Sequence, residues 1–370
     1  MKFKCYQQDL AKALSIVSKA VTGKTTIPIL KGILLEVSDD NKLTLLASDM
    51  DITIENTIEV EEAQPGSVVV ISKLFSDIIR KYPNDIVTVE LIDDRISVTC
   101  RNSNFTIKGM PADEFPKISS NQEELEEIIF DKETLKTLIP RTSFAASSDM
   151  SKGVITGILT ELEHDSIKMV AIDGYRMAIS KENMINTSEH SFVISSKIMD
   201  EINKIISEAG ADTDKIKLMI DDTNAVFSIN QIKVILRLLD GQFIKYKDII
   251  PGNTQIAVTV NRSDLAKSID RASLLSTEGK NNLIKFDIRD NIMTITSESE
   301  EGTVEEDILI KKEGNDLTIG FNSKYIQDVL KVIDDEEIVI KLNTSITPCL
   351  IEPVAGDEYT YLILPVRITN

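Results

Sequence analysis

Three stretches of the chain pass from a compact apolar run to the apolar spacing of a helix. They are SVVVISKLFSDIIRKYP from Ser67, SFVISSKIMDEI from Ser191 and LTIGFNSKYIQDVLKVI from Leu317. In the middle copy Phe192, Val193 and Ile194 make the strand, and Ile198, Met199, Ile202, Ile205 and Ile206 recur at helical intervals. A lysine stands at each join: Lys73, Lys197 and Lys324, about 125 residues apart. Ser72, Ser196 and Ser323 precede these lysines, and a serine there is expected to cap the helix by accepting a bond from an unpaired N–H. A second helical pattern recurs upstream, in YQQDLAKALSIVSKAV from Tyr6, KETLKTLIPRTSFAAS from Lys132 and RSDLAKSIDRASLLST from Arg262, aligned on Leu10, Leu135 and Leu265. Between the two helices lie LTLLASDMDITIE (43–55), IKMVAIDGYRMAIS (167–180) and IMTITSESEEGTVEEDI (292–308). Each alternates apolar and polar residues about a polar centre, which predicts paired strands. Every third closes on further strand-like segments: ISVTCRNSNFTIKGM, AVFSINQIKVILRLL, and CLIEP with YTYLILPVRI.

Recurrence in fixed order predicts three similar tandem domains, at 1–122, 126–250 and 254–370. Each has two helices on antiparallel sheets, an α+β architecture. The joins fall in the acidic ISSNQEELEE (118–127) and in IIPGNTQ (249–255), whose Pro251-Gly252 pair is a turn signal.

The chain has 370 residues, 42% hydrophobic and 27% charged, with no tryptophan, so its cores are aliphatic. No segment approaches the roughly 18 apolar residues of a membrane span, and the start MKFKCYQQDL has no apolar signal region. Cys5, Cys100 and Cys349 are odd in number and widely spaced, which argues against a disulfide framework and a zinc site and fits a reducing cytoplasm. The net charge of −19 argues against tight nucleic-acid binding by bulk composition. Its distribution changes that picture. The recurring second helix carries basic pairs seven apart, Lys73 and Arg80, Lys197 and Lys204, Lys324 and Lys331, and residues seven apart share a helix face. The first helix carries Lys12 and Lys19, then Lys132, Lys136 and Arg141, then Arg262, Lys267 and Arg271. The acid excess sits largely elsewhere, in EVEEA, VELIDD, EELEE, SESEEGTVEED and VIDDEEI. On any single helix such lysines read as a solvated face; in three copies inside an acidic chain they predict a surface that attracts polyanions.

Signals for catalysis are weak. Gly23-Lys24-Thr25 resembles the tail of a phosphate-binding loop, but Ser18 stands where that loop needs glycine. Asp49 and Asp51 lie near a predicted turn with no third ligand in view, so no metal is expected. His164 and His190, the two histidines, lie in polar segments, and no nucleophile motif accompanies them. Asp173-Gly174 predicts a hairpin turn, and Tyr175 and Arg176 project from its edge. The terminal YTYLILPVRITN is an apolar strand whose Pro365 confines it to an edge or a strand end.

Taken together, the three-part repeat, TGKTTIPIL, IDGYRMA, DGQFIKYKDIIP and LILPVRI resemble the bacterial DNA sliding clamps, the beta subunits of DNA polymerase III, over essentially the whole chain. That resemblance implies a non-catalytic, cytoplasmic processivity factor without a cofactor. It implies a head-to-tail homodimer closed into a ring around duplex DNA, helices inside and sheets outside. Its implied partners are the replicative polymerase catalytic subunit, a clamp loader and other proteins carrying a clamp-binding peptide, with no membrane. The implied DNA-facing residues are Lys24, Lys73, Lys152, Lys197 and Lys324, with Arg80, Lys204 and Lys331. An implied peptide groove comprises Ile172, Gly174, Tyr175, Arg176 and Met177 on the turn, Ile244 and Ile249 on the segment entering the third domain, and Tyr325, Leu362, Leu364, Pro365, Val366 and Arg367. The chain departs from the family's pattern where Ile172 and Tyr175 replace Thr and His, where Asp248 stands at a familiar basic position, and where Thr369-Asn370 extend the end. At the ring seam, Leu274 and Leu275 are expected against Phe105 and Ile107 of the next chain, with Glu298, Glu300 and Glu301 adding charge. On amphipathic pattern alone the four apolar residues fit an internal core equally well.

Overall fold

The computed structural model describes residues 1–23, 25–116, 126–186, 188–210, 213–276 and 282–368. The chain forms two compact units, one of Met1–Glu133 with Glu201–Leu238, the other of Thr134–Asp200 with Leu239–Asn370. Six α-helices are present among the described residues: α1 (Gln7–Val17), α2 (Ser72–Lys81), α3 (Lys132–Ser143), α4 (Ser196–Glu208), α5 (Arg262–Ser276) and α6 (Ser323–Leu330).

The first unit holds two antiparallel sheets. A five-stranded sheet runs Glu61–Gln64, Lys2–Tyr6, Ile86–Ile92, Arg95–Cys100, Ser103–Lys108. An eight-stranded sheet runs Glu126–Asp131, Lys215–Ile220, Asn224–Ile229, Ile232–Arg237, Ile52–Glu59, Lys42–Ser48, Gly32–Val37, Gly66–Ile71. Alternation decides which face is buried: Val87, Val89, Ile96 and Val98 point inward and are fully enclosed, while the residues between them are partly exposed. Leu10, Ala13, Leu14 and Val17 give α1 a buried stripe at helical spacing. The second unit holds one sheet of twelve antiparallel strands, from His190–Ser195 at one end to Leu317–Asn322 at the other. At its middle Arg176–Asn183 pairs with Tyr359–Ile363, with Ala178 opposite Tyr361.

The strand-to-helix switch occurs in all three predicted places: Gly66–Ile71 into α2, His190–Ser195 into α4, and Leu317–Asn322 into α6. The serines at the joins do not cap these helices. Each is the first helical residue, and an N-cap must sit one position earlier in extended backbone, as Ile71 and Asn322 do. Ser72 and Ser323 are buried instead, with hydroxyls 3.3 Å from Ser18 Oγ and 3.0 Å from Ser276 Oγ, so each ties its helix to the end of the preceding one. Ser196 Oγ donates to the Thr156 carbonyl at 2.9 Å. In α6 the cap is Asn322, whose Oδ1 accepts the Lys324 N–H at 3.0 Å.

Strand registers put the repeats on one scale. Gly32 lies opposite Ile71, and Gly157 opposite Ser195, each pair closing the strand that leads into α2 or α4. The last strand of the second and of the third repeat, in turn, pairs with the hairpin of the repeat before it. Val234 on Ile232–Arg237 lies opposite Ile54, as Tyr361 lies opposite Ala178. Equivalent positions on the remaining last strand, Ser103–Lys108, follow by counting along the sheet, and Phe105 matches Val234 and Tyr361.

Candidate functional site

The basic residues of the recurring helix divide into two sets. Lys73, Lys197 and Lys324, each second in its helix, are exposed, and none makes an ion pair among the described residues. The cations seven positions on are paired with an acid three residues before them: Arg80 with Asp77 at 2.6 Å, Lys204 with Glu201 at 2.8 Å and Lys331 with Asp328 at 3.6 Å. Acid before base is the favoured order on a helix, since it agrees with the helix dipole. The acid also stands four residues after the first lysine, yet its carboxylate turns to the later cation. Lys152 is exposed in the 3₁₀ segment Met150–Thr156 and donates to the Asp173 carbonyl at 3.3 Å, beside the hairpin turn and on no helix of the repeat. Lys24 lies outside the described residues.

The turn at 173–176 is built as the Asp-Gly pair predicts. Gly174 has φ +98°, a conformation that favours glycine because it has no Cβ to clash. Asp173 Oδ1 accepts the N–H groups of Tyr175 at 2.8 Å and Arg176 at 3.0 Å, locking the loop. Arg176 is nearly enclosed. Its Nε bonds Asp173 Oδ2 at 3.0 Å, one terminal nitrogen reaches Asp328 Oδ2 at 2.7 Å, and the other donates to the Phe144 carbonyl at 2.7 Å. Its guanidinium lies 4.6 Å from the Tyr325 ring centre and 5.3 Å from that of Phe144. Tyr175 and Tyr325 stack with centroids 6.3 Å apart. Burial, followed by the nearby Asp173 charge, raises the Tyr325 phenol above its usual range, so it is neutral at pH 7.

The predicted groove residues separate into a floor and a rim. Ile172, Met177 and Leu362 are buried in one apolar cluster with Leu159, Val170, Ile179, Val193, Leu350 and Tyr246. Tyr175 (59% exposed), Ile244, Ile249 and Leu364 present apolar surface to solvent. Leu364 donates its N–H to the Tyr175 carbonyl at 2.9 Å, and Val366 donates to Gly320 at 2.8 Å, so the terminal strip is stitched down on both sides. The regular strand ends at Ile363, before Pro365, whose missing N–H suits a stretch held by single bonds. Pro365 and Val366 are half-buried and Arg367 is exposed. Residues that sequence reasoning did not assign to the groove lie beside these. Phe243 and Ile250 pack against the floor, Tyr246 donates its hydroxyl to Glu161 at 2.6 Å, and Asp328 anchors Arg176. Tyr246 was legible in principle as the one aromatic in the charged KYKD run, and the structure buries it.

At the expected seam, Phe105 is 46% exposed and Ile107 half-buried on the last strand of the five-stranded sheet; Leu274 is 71% exposed and Leu275 half-buried on α5. Phe105 touches Tyr82 edge-on with centroids 6.0 Å apart, but neither it nor Leu274 is core. Val234 and Tyr361, the counterparts of Phe105, are fully buried because another strand covers them. Glu298, Glu300 and Glu301 are exposed about the 299–302 turn.

The remaining candidates have structural uses. Asp49 Oδ1 accepts the N–H groups of Asp51 and Ile52, which makes it a turn residue. Among the described residues no group of three or more His, Cys, Asp or Glu is placed to hold a metal. His164 is exposed, and His190 Nε2 lies 2.8 Å from Ser188 Oγ. Cys5, Cys100 and Cys349 are free and buried, and burial raises each thiol pKa, which makes them inert.

Comparison with known proteins gives three consecutive family matches. Residues 1–119 match the DNA polymerase III beta subunit, N-terminal domain; 129–245 match its central domain; 247–367 match its C-terminal domain. The beta sliding clamp of Staphylococcus epidermidis is 32% identical over 379 residues, covering 99% of each chain. The crystal structure of a DNA polymerase III beta subunit from Eubacterium rectale superposes over 100% of both chains, with a TM-score of 0.92 and 34% identity. A sliding clamp from Pseudomonas aeruginosa, solved bound to griselimycin, superposes over 100% of both chains with a TM-score of 0.93 and 25% identity. The chain belongs to the DNA polymerase III beta subunit family, the bacterial sliding clamps.

Proposed function

We propose that two copies of this clamp close head to tail into a ring, that duplex DNA runs through it without sequence readout, and that the groove beside the 173–176 turn tethers the replicative polymerase and other partners by a short peptide. Sliding clamps raise processivity without catalysis, and the residues above are asked for no chemistry. Cytoplasmic location and a separate loader that opens the ring belong to the same reading, as do three domains at 1–122, 126–250 and 254–370.

One observation carries the ring: an unfinished pattern of strand pairing. Within the chain, Ile232–Arg237 pairs with Ile52–Glu59, and Tyr359–Ile363 pairs with Arg176–Asn183. Two partners are left over. Among the described residues, Ser103–Lys108 pairs only with Arg95–Cys100, and residues 302–309 pair only with the strand Ile292–Ser299. Each copy thus offers one unpaired last strand and one unpaired hairpin strand, and pairing one to the other between two copies leaves neither over. Counting along the sheets as in the two internal pairings, Phe105 meets Val304 of the next copy, Thr106 meets Thr303, Ile107 meets Gly302, and Lys108 falls beside Glu301. Phe144, twelve residues after the start of α3, packs on Tyr361 with ring centroids 5.9 Å apart. Leu274 is the corresponding residue of α5, so it packs on Phe105, with Leu275 behind it.

For DNA, Lys73, Lys197 and Lys324 supply phosphate attraction, with Lys24 and Lys152 in support. Phosphate contacts carry no sequence information, and a ring needs little affinity because retention is topological. The acidic remainder of the surface repels DNA from the outside. Replacing Lys73, Lys197 and Lys324 together by Glu is expected to weaken electrostatic binding of the dimer to duplex DNA by about tenfold or more at low salt, measured by fluorescence anisotropy. Unchanged affinity would contradict this assignment.

A further inference from the structure

We infer that Asp77, Glu201 and Asp328 act as charge governors, each masking the second cation of its helix so that only the first grips DNA. This rests on the clamp reading above and adds a determinant of how strongly the clamp holds its track. The three helices share few residues: SKLFSDIIRK in α2, SKIMDEINKIISE in α4, SKYIQDVL in α6. Counted from the opening serine, position two is Lys73, Lys197 or Lys324; position six is Asp77, Glu201 or Asp328; position nine is Arg80, Lys204 or Lys331. Position five, by contrast, is Ser76, Asp200 or Gln327, with no common chemistry. Surface ion pairs three apart are common, and each contributes little to stability. Here the acid at position six meets the cation at position nine in all three copies, at 2.6, 2.8 and 3.6 Å, while the lysine four positions before the acid makes no ion pair among the described residues.

The physical consequence is a graded field. A cation beside a carboxylate presents a dipole to a phosphate, and its attraction falls off faster than that of a lone charge, within a screening length of about 8 Å at physiological salt. Without the acids, each helix would offer two cations on one face, about two turns apart. The masked arrangement suits a protein that must stay near DNA yet move along it, because every phosphate held is an attachment to be broken at each step. Asp328 has a second task, since its other oxygen holds Arg176 at 2.7 Å. Asp77 and Glu201 have no such tie among the described residues, and they are the residues to change.

The test is the salt dependence of binding of the assembled dimer to a short linear duplex, by fluorescence anisotropy in NaCl. Asp77→Asn with Glu201→Gln is expected to raise low-salt affinity several-fold and to steepen the plot of log affinity against log salt by about 0.9 for each additional phosphate neutralised. Adding Arg80→Gln and Lys204→Gln to that variant is expected to return the slope to the wild-type value. A helix-stabilising role for the acids would alter thermal stability but not the slope. A slope unchanged by Asp77→Asn with Glu201→Gln, while wild type binds with measurable salt dependence, overturns the governor alone. Wild type that shows no salt-dependent binding, unaffected by Lys73→Gln with Lys197→Gln, overturns the clamp reading and the governor with it.

Discussion

Leu274→Asp is expected to yield a folded chain that no longer dimerises. In the single chain Leu274 is 71% exposed, so the substitution removes almost no buried contact and leaves folding stability nearly unchanged. Its effect appears in the assembly. In the proposed ring Leu274 covers Phe105 of the next copy, and Phe105 is itself 46% exposed in the single chain. Losing that burial and enclosing a carboxylate in its place costs about 2–4 kcal/mol per seam. Glu298, Glu300 and Glu301, expected at the same seam, would sharpen the penalty, because the new negative charge would enter an acidic region. A ring of two chains has two seams and loses both together, so the dissociation constant rises by at least about a thousandfold. Sedimentation equilibrium checks this. The expected result is a dimer for the wild type and a monomer for the variant, with matched melting temperatures. A dimer that survives the substitution would remove Leu274 from the seam.

The second large effect concerns the groove. Removal of residues 364–370 is expected to abolish binding of a peptide with leucine and aromatic anchors while the dimer persists. The strip is held by single backbone bonds, Leu364 to Tyr175 and Val366 to Gly320, and it ends beyond the last regular strand. Its loss therefore strips apolar rim from the groove while the buried floor of Ile172, Met177 and Leu362 remains largely in place. Hot-spot residues at such sites contribute about 2 kcal/mol or more each, so the affinity loss is at least about thirtyfold. Arg176→Ala should behave differently from a rim substitution. Arg176 bonds Asp173, Asp328 and the Phe144 carbonyl, and its removal leaves two carboxylates short of a partner. It is expected to lower both peptide affinity and folding stability, the latter by about 2–4 kcal/mol, whereas Ile244→Asp lowers affinity alone. Titration calorimetry with thermal denaturation separates the two. A peptide affinity untouched by both the truncation and Ile244→Asp would place the tether elsewhere.

The threefold architecture was readable because it rests on local periodicity repeated at a fixed interval. The apolar spacing around Lys73, Lys197 and Lys324 needed no tertiary information to be seen. The serine caps fail for a tertiary reason: in sequence a serine before a helical run looks like a cap, and only packing reveals that Ser72 and Ser323 turn inward to Ser18 and Ser276. The Asp-Gly turn was legible because its chemistry is local, down to the Asp173 carboxylate that binds the next two N–H groups. The threefold tie of Arg176 was not, since Asp328 lies 152 positions away. Pattern also left Phe105 and Leu274 undecided between core and seam, because an apolar residue covered by its own chain and one covered by another copy look alike. Exposure in the single chain removes both from the core, and the proposed seam is the reading that would cover them.

The most direct test of a ring around DNA is retention on closed against open tracks. The clamp is assembled on nicked circular DNA, which a two-chain ring reaches by opening, and is then washed at high salt, where phosphate attraction is screened and only topology holds it. Cutting the circle once should release the protein at once from the free ends, while uncut circles keep it. Equal loss from cut and uncut DNA, or equal retention on both, would contradict encirclement.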